Sequence, residues 1–248
     1  MPQNVPGDAV LVKELLAGLS AMQVVQFTKD VVTDPDLPNY GLAAPTRRYV
    51  LKSSGSLGAS NAVIADLSFG TNQDDTVYFS RRADEICVYA VKRGEVDRLP
   101  TTSWQMRERQ IWDFSINDVI RATIRQQGKT RELIRKGAHE WSLAAGSQGM
   151  INDLAVEEAV AGLGHLAAGH WVATGEQNRG RYGLGRDAYQ LVLELKNGDK
   201  PTLELGGEAR PGIPYAAVIL DHEPWIFEFP GALYSNVFLS LTIPADIH

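Results

Sequence analysis

Cysteine is nearly absent, with one residue in 248, and that excludes an intrachain disulfide framework. Cys87 lies in the apolar run Ile86–Val91, a setting that predicts a small buried hydrophobe rather than a reactive thiol. A surplus of basic charge is missing too: Lys and Arg number 24 against 30 Asp and Glu, a formal net charge of -6. Phosphate contacts need the opposite balance, so nucleic acid is not an expected partner. No stretch approaches the roughly 20 consecutive apolar residues of a membrane-spanning helix. The apolar run Tyr215–Leu220, as long as Ile86–Val91, suits a buried strand. The opening residues, Met1 to Asp8, have neither the basic nor the apolar region of a signal peptide.

Catalytic signatures are lacking as well. The G-x-S-x-G pattern of α/β-type serine hydrolases does not occur, and Ser147 in Gly146-Ser147-Gln148-Gly149 sits in a connector ahead of a helix cap. Gly162-Leu163-Gly164 starts a dinucleotide fingerprint, but its third glycine is misplaced and no strand leads into it. His165 and His170 are five apart, whereas two ligands on one helix face need three or four. The acid pairs Glu157-Glu158 and Asp74-Asp75 read as a helix first turn complementing the macrodipole and as a turn. No catalytic, cofactor-binding or metal-binding residue is assigned from these patterns, and the expectation is a protein that is not an enzyme.

What the sequence does contain is an internal repeat. Tyr40-Gly41-Leu42 returns as Tyr182-Gly183-Leu184, and Ala17-Gly18-Leu19 as Ala161-Gly162-Leu163. Each motif follows a capped amphipathic helix: Asp8 precedes Leu11, Leu15, Leu19 and Met22, while Asn152 precedes Val156, Val160, Leu163 and Ala167. Each helix runs toward an aromatic residue, Phe27 or Trp171. Beyond the glycine the period falls to two, Tyr49 and Leu51 matching Leu191 and Leu193, with Arg48 and Lys52 matching Gln190 and Glu194 on the other face. Leu67–Gly70 then parallels Leu203–Gly206, Thr76–Ser80 parallels Pro214–Val218, and Ile86–Val91 parallels Glu223–Glu228, with Gly94 or Gly231 closing each copy. His165 and His170 fall opposite Ala21 and Gln26, so the module does not require imidazole there.

Between the copies, Ile116–Gln126, Thr130–Lys136 and His139–Leu143 read as a β hairpin with an extension around a turn at Gly128-Lys129. The fold class is therefore α+β: two repeats, each a helix on an antiparallel meander, joined by a central hairpin. The divisions are 1–104, 105–150 and 151–248. Because a hairpin leads into the second helix, an equivalent is expected before the first, and the sequence reads as a fragment whose Met1 replaces missing residues.

Charge is unevenly spread. Residues 107–136 hold eight basic side chains against four acidic ones, which leaves -10 for the remainder. Arg121, Arg125, Arg131 and Arg135 are the candidate partner contacts, with Arg121 and Arg125 on one strand face beside Thr123; the alternative is a solvated face. Trp104, Trp112, Trp141 and Trp225 are read as core cover.

With Phe114-Ser115, Asp118-Val119 and Trp141 following the Tyr-Gly-Leu, Leu-x-x-Gly and aromatic strand elements, the chain resembles the bacterial domain of unknown function 4340 (DUF4340) in duplicated form, over nearly its full length. Ala44-Pro45 after the first Tyr-Gly-Leu departs from Arg186-Asp187 after the second. The resemblance implies large envelope proteins with an N-terminal membrane anchor, often encoded beside ABC transporters of the gliding-motility type, and no established catalytic residues. The expectation is a non-enzymatic, extracytoplasmic (periplasmic) binding or assembly module whose partners are protein subunits. The alternatives are a small-ligand or glycan domain using the cleft between the repeats, and a hydrolase joining His139, His165 or His170 to acids in one pocket.

Overall fold

The structure, a computed structural model, describes residues 6–53, 62–71 and 78–243. The Asp74-Asp75 pair and the first two residues of the expected Thr76–Ser80 strand lie outside the described residues.

The fold is α+β with antiparallel sheets. In chain order it begins with helix α1 (Ala9–Ala21), capped by the Asp8 carboxylate, which accepts from the Val10 and Leu11 amides. Strand β1 (Val24–Lys29) leads to a 3-10 turn (Asp34–Tyr40), then to β2 (Arg47–Lys52), β3 (Val63–Thr71), β4 (Tyr78–Arg82), β5 (Val88–Val91) and a short helix α2 (Arg93–Asp97). These strands make one sheet in the order β1-β5-β4-β3-β2.

A second run starts with β6 (Val119–Gln126), β7 (Lys129–Gly137) and β8 (Glu140–Leu143). Helix α3 (Asp153–Gly164) follows, its N-terminus capped by Asn152 through the Ala155 amide. Then come β9 (Trp171–Thr174), a 3-10 turn (Glu176–Tyr182), β10 (Tyr189–Leu195), β11 (Thr202–Arg210), β12 (Ile213–Leu220), β13 (Glu223–Glu228) and helix α4 (Gly231–Ser240). The second sheet runs β8-β7-β6-β10-β11-β12-β13-β9. Its last five strands are ordered as the five of the first sheet, element for element, and the pairing agrees: Phe27 sits opposite Tyr89, and Trp171 opposite Phe227. Strand four corresponds two residues away from the expected match, since Ser80 and Ala216 hold the same place, opposite Phe69 and Leu205.

The chain divides into two compact units, Gly7–Met106 and a second running from Arg107 onward. The segment expected as a separate link at 105–150 supplies three strands to the second sheet, because β6 pairs with β10 from Gln190 opposite Arg125 to Leu195 opposite Val119. Its turn falls at Gln127-Gly128, where both residues have positive φ, 51° and 75°, as a tight two-residue hairpin requires.

In the Gly7–Met106 unit, α1 covers one sheet face: Leu15, Leu19 and Met22 pack on Phe69, Val91, Val96 and Leu99. The 3-10 turn fills the other, Leu37 and Tyr40 lying on Val32, Leu42, Val88 and Ala90. Both faces are therefore partly dry, where a single wet face was expected. Gly94 and Gly231, expected to close each copy, instead lie at the start of helices, α2 and α4, which continue the core through Val96 and Val237. Ala167 lies past the end of α3 and forms a bridge with Gln110.

Candidate functional site

The Tyr-Gly-Leu elements are structural. Gly41 and Gly183 end their 3-10 turns in the left-handed region, at φ 66° and 72°, where a side chain is strained. Close approach adds a second reason for glycine: a Cβ on Gly41 would lie 2.2 Å from the Thr71 carbonyl oxygen, and one on Gly183 would lie 2.5 Å from the Gly207 nitrogen. Leu42 and Leu184 then enter matching clusters, with Val88 and Ala90 in one unit and Ala217 and Ile226 in the other.

Ahead of the first glycine, the Asp36 carboxylate accepts from the Lys29 ammonium at 2.7 Å, the Thr33 amide at 2.9 Å and the Thr33 hydroxyl at 2.8 Å. The Lys29 bond first, then those from Thr33, hold its carboxyl far below the usual range. The Tyr89 hydroxyl donates to Glu85 at 2.7 Å, a bond that pushes its pKa up to about 12.

The four candidate arginines divide into two kinds. Arg121 lies between acids on both neighbouring strands, Glu132 at 2.8 Å and Glu194 at 3.4 Å. Arg125 donates to the Gln190 side chain at 2.9 Å. At Arg121 the expected basic stripe is thus flanked by a carboxylate on each side. Arg131 and Arg135 are interior, a correction to their reading as partner contacts. Arg131 donates to the Thr242 and Met150 carbonyls, each at 2.7 Å, and burial lowers its pKa. Arg135 donates to Glu157 at 2.5 Å and to the Val119, Ala138 and Ile116 carbonyls, with its guanidinium 4.5 Å from the Trp141 ring centre. The Trp141 indole also donates to Glu157, at 2.8 Å. Glu157 is therefore a buried partner of Arg135, not a first-turn complement to the helix dipole. Sequence spacing carried no sign of this, because the three residues lie on β7, β8 and α3.

Other candidates take plain places. His165 and His170 are exposed near the end of α3, beside Asp113 at 3.2 Å and Glu228 at 3.8 Å, and His139 is exposed in the turn between β7 and β8. The Ser147 hydroxyl accepts from the Glu132 amide at 2.9 Å. Cys87 is half-buried rather than core, its thiol donating to the Asp30 carbonyl at 3.1 Å. Trp141 and Trp225 are buried as core cover requires, while Trp104 and Trp112 are half-buried. Among the described residues no group of His, Cys, Asp and Glu is placed to hold a metal ion, and no helix is long and apolar enough to cross a membrane.

The feature that the sequence did not reveal is a difference in covering. In the second unit, residues 107–114 run as a strap along the end of α3 and the start of β9. The Arg109 carbonyl accepts from Ala168 at 2.8 Å, Ile111 donates to Leu166 at 2.8 Å, Phe114 donates to Gly164 at 3.0 Å, and the Trp171 indole donates to the Arg107 carbonyl at 3.3 Å. Trp171 is 3% exposed there, whereas its counterpart Phe27 is 65% exposed. At the opposite sheet edge β10 is paired with β6, while β2 is terminal among the described residues.

The family model of a domain of unknown function, DUF4340, matches residues 1–150. The resemblance was expected over nearly the full length; the match takes in the Gly7–Met106 unit and the β6-β7-β8 strands. No curated protein and no solved structure matches the chain. The match spans more than half of the 248 residues, and the chain belongs to the DUF4340 family.

Proposed function

We propose that this DUF4340 chain is a non-enzymatic assembly module that binds protein subunits of a bacterial envelope complex outside the cytoplasm, and that it is a tandem form in which two copies of one module differ in what covers them. The tandem reading is supported by the shared strand order, the two left-handed glycines and the matched aromatic pairs, Phe27 with Tyr89 at 5.0 Å and Trp171 with Phe227 at 5.5 Å. The binding reading is carried by one observation. The Gly7–Met106 unit exposes Val24, Val25 and Phe27 on the strand whose counterpart, from Trp171 onward, is half-buried or better. Apolar side chains collected on one strand are a contact surface waiting for a cover.

The test is affinity purification of the protein from gently solubilised native membranes, followed by mass spectrometry. Stoichiometric recovery of transporter or other envelope subunits is the expected result. Recovery of the protein alone, in the soluble fraction, refutes the assembly reading.

A further inference from the structure

We infer that the open edge of β2, together with the bare Phe27 surface, receives a strap-and-hairpin segment of a partner protein, patterned like residues 107–143 but with acidic side chains where β6 carries Arg121 and Arg125. The inference rests on the assembly reading and names its contact.

The second unit supplies the geometry. Along β10, the Leu193 and Leu195 amides bond toward the β11 side, to Pro201 at 3.0 Å and Asp199 at 2.9 Å. Alternation therefore turns Gln190, Val192 and Glu194 toward β6. In the first unit the Ser53 amide bonds inward to Ala62 at 2.9 Å. The β2–β3 pairing shifts register between Leu51 and Lys52, but the extra residue, Ile64, is on β3. Counting back by twos along β2 therefore keeps Leu51 and Tyr49 inward, and leaves the N–H and C=O of Arg48, Val50 and Lys52 on the open side. The two strands thus present the same row of groups: β10 spends it on β6, and β2 has no strand there among the described residues. Such a row is the template for strand addition.

The strap leaves the same signature. Leu166 and Ala168, which bond to it, are 0% and 4% exposed, while the residues at their positions beside α1 are Met22, half-buried, and Val24, 48% exposed. Among the described residues, edge and surface lack cover together, at the two places that one continuous segment, 107–143, covers in the other unit.

Charge selects the occupant. In the β6–β10 pair, Arg121 stands opposite Glu194 and Arg125 opposite Gln190. The same positions on β2 are Lys52 and Arg48, and Arg48 already bonds Asp66 on its inner side at 2.6 and 2.9 Å. An incoming strand with acids at those two positions would place Arg48 between carboxylates on two strands, as Arg121 is placed in β6. Opposite Tyr49 and Leu51 it would carry apolar side chains, as Ile124 and Ala122 do against Leu191 and Leu193. A second copy of this chain is the poorer occupant, because antiparallel pairing of β2 with itself, centred on Val50, sets Arg48 against Lys52.

The test titrates the full chain with a fluorescent synthetic peptide of residues 107–143 bearing Arg121→Glu and Arg125→Glu, and reads anisotropy. Saturable binding is expected, weaker by about tenfold or more with the unsubstituted peptide. The variant Val50→Pro removes an outward N–H from an edge strand that tolerates proline, and it should weaken binding by a similar factor. Lys52→Glu leaves each peptide one opposite-charge and one like-charge pairing with β2, so it should abolish the preference between them, and it carries the test if circular dichroism shows that Val50→Pro does not fold. Absence of saturable binding, or equal binding by wild type and a folded Val50→Pro, overturns the inference. A concentration-dependent dimer that Val50→Pro abolishes would assign the edge to a second copy and overturn it too. Envelope subunits that co-purify equally with wild type and Val50→Pro would sink the contact while leaving the assembly reading intact, whereas no co-purifying subunit at all sinks that reading.

Discussion

Helices α1 and α3 open topologically equivalent runs, yet α3 buries Val156, Ala159, Val160 and Leu163 to 1% exposure or less, while α1 has no buried residue. Their caps and apolar spacing are alike, so local pattern does not explain the difference. What differs is company. Helix α3 packs against α4, whose Leu233 approaches so closely that a Cβ on Gly162 would meet it at 2.5 Å, and it is bounded by the strap and by β8. The counterpart of α4 in the first unit, α2, has only five residues. A shared topology thus fixes where a helix lies, while neighbouring segments fix how dry it becomes.

The sharpest break in the comparison is expected in the second unit alone. Glu157→Ala strands the buried Arg135 guanidinium and removes the acceptor of the Trp141 indole, and should cost about 3–5 kcal/mol in urea denaturation. The glycines test what the units share: Gly41→Ala and Gly183→Ala each force a Cβ into backbone at positive φ, and each should destabilise its own unit by about 2–4 kcal/mol. Hydrogen exchange read separately over the two units would show whether the losses are local. The difference in burial itself is measured by paired truncations. Leu163→Ala should cost about 3 kcal/mol, and Leu19→Ala, on the half-buried stripe of α1, about 1 kcal/mol; equal losses would contradict the account of α1 as poorly covered.

The smallest effect concerns pH. The Asp36 carboxyl is lowered in the folded state, so its contribution is present above the ordinary carboxylate range and is lost as pH falls through the lowered value. Asp36→Asn should therefore lower the melting temperature slightly at neutral pH, with the gap to wild type closing in strong acid. A constant gap would show that the Lys29 and Thr33 bonds do not act through charge.

Much of the architecture was legible in the sequence. The caps Asp8 and Asn152, the stripe Leu11-Leu15-Leu19-Met22 and the period of two after each Tyr-Gly-Leu are local, and each acts within a few residues of itself. The roles of Gly41 and Gly183 were half legible: the turn could be read, but not the backbone of Thr71 or Gly207 pressing on them, because those contacts cross the sheet. The arginines of β7 were misread for the same reason. Arg131 and Arg135 look like neighbours of Arg121 and Arg125 in a basic run, and strand alternation with hairpin pairing is what sends them inward.

By itself the sequence determined the two capped helices, the strands that follow each Tyr-Gly-Leu and the central hairpin, because caps, turn glycines and hydrophobic period are short-range properties of the chain. Only the tertiary structure decided that the hairpin extends the second sheet, that Glu157 neutralises Arg135, and that among the described residues β2 ends its sheet and Phe27 lies exposed. Each of these depends on which distant segment pairs with an edge or closes over a face, and a strand edge offers the same backbone groups whatever its side chains are.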